Sequence, residues 1–173
     1  MTSGDERRER PAALAPFPEF LFRPARPWSF ILKAWLLSLA GSILLSVLAG
    51  AVAPEAAQPD LGPVDEAWTV FLLVLVVPAV ETAFMVPPLL LLNRFLGPAP
   101  AVFLSAVGWG VAHSLAAPIW GFVAWWPFLL MSIAFLTWRE RGFWLACGIV
   151  VAIHALQNSF AAAAILLGGA SGA

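Results

Sequence analysis

The chain has 173 residues, is 61% hydrophobic and only 11% charged, and has a mean hydropathy of +0.89, more apolar surface than a soluble domain of this length can bury. A formal net charge of −1 supplies no electrostatic basis for nucleic acid as a partner. A single cysteine, Cys147, excludes an internal disulfide and a cysteine-based metal site, and leaves the redox compartment open.

Residues 1–27 carry Arg7, Arg8, Arg10, Arg23 and Arg26 among Pro11, Pro16, Pro18, Pro24 and Pro27. No short apolar core follows the charges directly, so the stretch does not resemble a cleavable signal. It is expected to be a disordered cytoplasmic arm touching lipid headgroups. Five segments then meet the length of about 20 apolar residues needed to span a bilayer. They lie near 28–53, 67–93, 98–117, 118–138 and 142–168, the third and fourth divided only at Ala117-Pro118. The loop at 54–66 holds Glu55, Asp60, Asp65 and Glu66 and no base, whereas Arg94 follows the second segment and Arg139 and Arg141 the fourth. The positive-inside rule then puts the N-terminus in the cytoplasm and the C-terminus outside. The expected fold is all-α: a polytopic membrane bundle of about five transmembrane helices, residues 28–168 forming one domain. Nine Trp and thirteen Phe with no Tyr fit lipid-facing and interfacial positions in such a bundle.

Away from their ends these segments hold one carboxylate, Glu81, and both histidines of the chain, His113 and His154. A charge at the bilayer centre costs about 2.5–3.5 kcal/mol on insertion scales, so such groups normally face a protein interior and serve a function. Glu81 lies between Pro78 and Pro87-Pro88, whose missing N–H groups kink a helix and free carbonyls to line a polar pocket. Trp109 is four residues before His113 and is expected to pack against it and line that pocket. Asn158 is four residues after His154 on the same helical face, with Gln157 beside them. Counting rise per residue puts Glu81 about 10 Å, His154 about 18 Å and His113 about 22 Å from the cytoplasmic side of a core of about 30 Å. Straight helices would thus separate Glu81 and His113 by about 12 Å in height.

Each polar group also has a purely structural reading: a histidine bonded across helices, Asn158 as interhelical glue, Cys147 as small apolar packing. As a set they suit peptide hydrolysis. A carboxylate and an imidazole can take the proton from water, and an imidazole N–H and an amide N–H can hold an oxyanion. The His-Glu-x-x-His zinc motif, a Gly-x-Ser-x-Gly elbow and an aspartate within a span are all absent. Ser114 and Ser159 adjoin the histidines but point about 100° away on a helix, a poor geometry for a dyad.

These residues resemble the CPBP family of intramembrane glutamic endopeptidases, which includes the CAAX-processing proteases and Abi-like proteins. The family's Pro-x-x-Glu-Glu-x-x-x-Arg aligns with Pro78-Ala79-Val80-Glu81-Thr82-Ala83-Phe84-Met85-Val86. An aromatic residue four before a histidine appears as Trp109 and His113, and His-x-x-x-Asn as His154 to Asn158. The match covers about residues 70–160 in the family's order. The resemblance implies that Glu81 and His113 activate a water and that His154 and Asn158 form the oxyanion hole, with no cofactor and no metal. The chain departs at two positions: Thr82 replaces the second glutamate and Val86 the arginine, which leaves Glu81 without an evident cation.

The expected function is therefore intramembrane endopeptidase, acting on a membrane-associated protein or peptide. One alternative is a metal-dependent hydrolase binding zinc through Glu81, His113 and His154. Another is a catalytically degenerate immunity factor, scaffold or proton-coupled carrier. Arg outnumbers Lys eight to one and Ala and Pro are abundant, a composition of GC-rich bacteria that places the chain in a bacterial cytoplasmic membrane. The sequence indicates no oligomeric state.

Overall fold

The computed structural model describes residues 11–55 and 67–170, with side chains described as far as residue 163. Among the described residues the structure is helical, with five helices: α1 Pro27–Val52, α2 Ala67–Leu96, α3 Pro98–Ser114, α4 Pro118–Trp138 and α5 Phe143–Ala170. Proline opens α1, α3 and α4, where its fixed φ suits the first turn and its missing N–H costs nothing. Gly97 alone separates α2 from α3. Its φ of +82° belongs to the left-handed region, and its N–H closes α2 on the Asn93 carbonyl at 3.2 Å. Leu115 to Ala117 carry the chain from α3 to α4. Ala117 is extended, at φ −153° and ψ 125°, because the ring of Pro118 bars the helical conformation before it.

α1, α2, α4 and α5 are each long and apolar enough to cross a membrane. The third expected segment, 98–117, falls short of that: α3 has 17 residues and is about 25 Å long, less than a hydrocarbon core of about 30 Å. The hydrogen bonds of the last turn, Ala116 and Ala117 to the His113 carbonyl, end it early ahead of Pro118.

α4 is the central helix. Phe128 to Phe135 are all buried without a break, so every face is covered, by α1, α3 and α5. α1 approaches it closely at Gly41, where a Cβ would collide with the Trp126 ring, and Trp126 donates to the Leu37 carbonyl at 3.3 Å. The outer faces carry apolar side chains in the open, among them Val47, Phe84, Phe95 and Trp144. An exterior this apolar, on helices long enough to span, marks a membrane protein.

The N-terminal arm corrects the expectation of disorder from Pro11 onward; residues 1–10 lie outside the described residues. Two 3₁₀ turns, Ala12–Leu14 and Glu19–Phe22, bury Leu14 and Leu21 against the bundle. Thr137 donates to the Leu21 carbonyl at 2.8 Å and Arg141 to the Ala25 carbonyl at 3.1 Å. Phe17 stacks on Trp126 and Phe20 meets Phe30 edge-on. The prolines that prevent a long helix also lower the entropy lost on ordering, and the aromatic residues between them supply the buried surface. The arm therefore sits at the end of the bundle formed by the α2–α3 and α4–α5 turns, which gathers Arg23, Arg26, Arg94, Arg139 and Arg141.

Replacing Leu21 by Ala is expected to destabilise the protein by about 2–5 kcal/mol, as for other buried leucines, in unfolding measured in detergent micelles. A change within about 0.5 kcal/mol, as at a solvated surface position, would show that the arm is not docked.

Candidate functional site

Gly97 sets the height of the first two site residues. Glu81 and His113 each lie sixteen positions from it along an antiparallel helix pair, so both come to about 22–24 Å above the same turn. This corrects the height difference expected from sequence. α2 runs 30 residues, about 45 Å, so its outer end overhangs a core of about 30 Å and is no reference for depth. His154 is brought to the same region by the α4–α5 turn. The Glu81 carboxylate lies between the two imidazoles, Oε1 4.0 Å from Nε2 of His113 and Oε2 3.5 Å from Nε2 of His154. Both separations are close approaches beyond direct hydrogen bonds.

The rings are held by aromatic contacts. Nδ1 of His113 lies 2.9 Å from the Trp109 carbonyl, which only accepts. The assignment that satisfies both puts the hydrogen on Nδ1, so the neutral ring turns an Nε2 lone pair toward Glu81. Trp109 stacks flat on Phe128, with centroids 4.4 Å apart and planes 2° apart. Phe128 in turn touches both imidazoles, at 5.3 Å from His113 and 5.5 Å from His154, and Trp120 stands edge-on to His113 at 4.7 Å. Trp109 thus orients His113 from behind, and Trp120, not Trp109, lines the cavity. Phe128 and Trp120 were not found from sequence. They come from α4, distant in the chain, and no spacing rule ties them to a histidine.

Asn158 reaches the site by a different route. Leu72–Val76 is a π turn, and the Val77 N–H closes on the Leu72 carbonyl. In that register the next carbonyl, Leu73, would be bonded by residue 78, and Pro78 has no N–H. Asn158 Nδ2 donates to the Leu73 carbonyl instead, at 2.9 Å. The proline of one motif and the asparagine of another are thereby joined through one orphaned carbonyl. One Asn158 N–H is spent on this bond and the other is left for the cavity. Gln157, one residue before, donates to Ser42 on α1 at 3.2 Å.

Glu81, His113, His154 and Asn158, the four residues expected from sequence, all line one cavity of about 810 Å³ between α1, α2, α3, α4 and α5. Its walls are otherwise mostly apolar, and among the described residues no lysine or arginine lines it. Glu81 Oε2, His154 Nδ1 and Gln157 Oε1 are buried and lack a hydrogen-bond partner among the described residues. Thr82 and Val86 are buried away from the cavity. Ser114 donates to the Pro118 carbonyl and Ser159 to that of Ala155, which turns both away from nucleophilic use. Cys147 packs against the core. Among the described residues, no group of three or more His, Cys, Asp or Glu side chains is placed to hold a metal ion.

Comparison with known proteins adds no relative: no protein-family model matches the chain, no curated protein is similar to it, and no solved structure resembles it.

The Pro78–Leu73–Asn158 link makes a specific prediction. Asn158→Ala should cost about 1–3 kcal/mol of stability, because it leaves a buried carbonyl unpaired. In a Pro78→Ala background residue 78 regains an N–H for that carbonyl, so the cost of Asn158→Ala should shrink. A double-mutant cycle in detergent unfolding measures the difference, and strictly additive effects would refute the link.

Proposed function

We propose that the chain is an intramembrane glutamic-type endopeptidase of the CPBP kind, hydrolysing a peptide bond of a membrane-associated protein. One observation carries the reading: among the described residues, the only carboxylate lining a cavity inside an apolar bundle lies between two imidazoles. Glu81 Oε1 and His113 Nε2 are two acceptors 4.0 Å apart. One water lying about 2.8 Å from each could donate to both, at an angle of roughly 90° at its oxygen. Glu81 then takes a proton as the water oxygen attacks the scissile carbonyl. His154 and the second N–H of Asn158 donate to the oxyanion. Collapse of the tetrahedral intermediate breaks the C–N bond, and Glu81 returns the proton to the leaving amine, giving a carboxylic acid and an amine, the acid then passing its remaining proton to the amine.

Glu81→Gln should lower cleavage by about 10²–10⁴-fold, the usual contribution of a general base. The measurement is a mass-spectrometric search of membrane fractions for new N-termini that appear with the wild type and vanish with the variant. Unchanged products from a folded Glu81→Gln protein would end the peptidase reading and leave the catalytically silent relative suggested by Thr82 and Val86. The mechanism routes no step through a metal, so 1,10-phenanthroline should leave cleavage intact. Loss of cleavage restored by zinc would favour the metal-dependent hydrolase instead.

We place the arginine-bearing end in the cytoplasm of a bacterial cell, by the positive-inside rule and the excess of Arg over Lys. The cavity is lined by the far halves of α1, α4 and α5, so the site then works from the opposite side. In a Cys147→Ala background, Ser46→Cys should react with a membrane-impermeant maleimide on intact cells, and Glu140→Cys only after permeabilisation. The reverse pattern would invert the orientation.

A further inference from the structure

The substrate's chemical class is written on the cavity wall opposite Glu81, an inference that rests on the peptidase reading. Ser38, Ser42 and Ser46 recur every four residues on α1 and so share a face. Ser38 is buried with its hydroxyl unpartnered, while Ser42 and Ser46 line the cavity. Gln157 stands across from them, its amide N–H on Ser42 and its Oε1 buried and unused. Deeper in, His154 is only 6% exposed, lines the same cavity and has an unpartnered Nδ1. Ser46, Ile43 and Val47 line the cavity and are nonetheless exposed, so among the described residues the outer half of α1 leaves it open to the side.

Protein in a bilayer keeps its backbone N–H and C=O groups paired, and a helix must unwind before its peptide bond can be attacked. A wall with hydroxyl and amide groups at successive heights, set among apolar side chains, supplies replacement partners to an unwound backbone. Among the described residues the cavity's ionisable groups are Glu81 and the two histidines. An acidic side chain or a free terminal carboxylate entering it would meet the Glu81 carboxylate and no described lysine or arginine. We propose that the cavity binds an extended, uncharged, internal stretch of a membrane-embedded polypeptide, which enters sideways past α1. Its main chain hydrogen-bonds along Ser46 and the Ser42–Gln157 pair before its scissile carbonyl reaches Glu81, His154 and Asn158. The device selects internal bonds over carboxyl-terminal chain ends and uncharged stretches over acidic ones.

Binding is read apart from catalysis by using the Glu81→Gln protein in phosphatidylcholine–phosphatidylglycerol vesicles. The probe is a fluorescent single-pass peptide with an Ala/Leu/Gly core and lysines only at its ends. A benzoylphenylalanine at position 47 should crosslink to the probe, and one at the exposed position 95 should not. Ser46→Leu with Gln157→Leu should weaken binding about ten-fold, the loss of two or so hydrogen bonds, and Ser46→Thr should restore part of it in the Gln157→Leu background. A probe with a glutamate at the centre of its core should not compete. Ser46 is exposed, so Ser46→Leu alone keeps the test valid if the double variant misfolds. Equal crosslinking at 47 and 95, or undiminished binding by folded Ser46→Leu protein, would overturn the rail. If the probe binds along the rail and the wild type cleaves nothing, the rail stands and the peptidase reading falls. If the wild type cuts the probe and the serine and glutamine variants cut it equally well, the reverse holds.

Discussion

A carboxyl group buried among apolar helices has to be met by polar groups from other helices, and the organisation of this bundle follows from meeting Glu81. Its two oxygens face two imidazoles that lie 32 and 73 residues away in sequence. In an apolar surround an unmatched polar group is costly, so a fold that brings these side chains to one point is strongly favoured over one that scatters them. The first meeting is nearly local: the single-residue turn at Gly97 folds α2 onto α3 and leaves Glu81 and His113 level. The second is not. His154 arrives only after α4 has been threaded through the centre of the bundle, with Phe128 as the surface against which both imidazoles pack.

The π turn in α2 shows how a local defect becomes a long-range contact. Pro78 withholds a hydrogen bond from the helix, and the register change leaves the Leu73 carbonyl without a backbone donor. In water a solvent molecule would fill that gap at little cost. Inside an apolar bundle a side chain must do it, and Asn158 does. The same bond draws α5 against α2 beside Glu81, so the proline acts on the position of a helix 80 residues further along the chain.

The opposite end of the molecule serves another purpose. The described arginines, the docked N-terminal arm and the short turns gather there, which separates them from the polar groups that line the cavity. The arm ties the start of α1 to the end of α4, while the far half of α1 borders the cavity and remains exposed.

Much of this could be read from the chain alone. Hydropathy and length determine an all-helical membrane bundle because a bilayer admits few other ways to satisfy a backbone. The rarity of ionisable groups in the spans singled out Glu81, His113 and His154 without any structure, and helical spacing from His154 added Asn158. The equal spacing of Glu81 and His113 about Gly97 was also present in the sequence, but counting depth from the outer helix end obscured it. The tertiary structure alone decided the rest: that Trp109 orients His113 from behind, that Phe128 and Trp120 complete the aromatic shell, that Asn158 is bonded to Leu73, and that the arm from Pro11 is folded. Composition and periodicity report which face of a segment is apolar. They do not report which distant segment that face will meet, and each of these contacts depends on helices that only packing around α4 brings together.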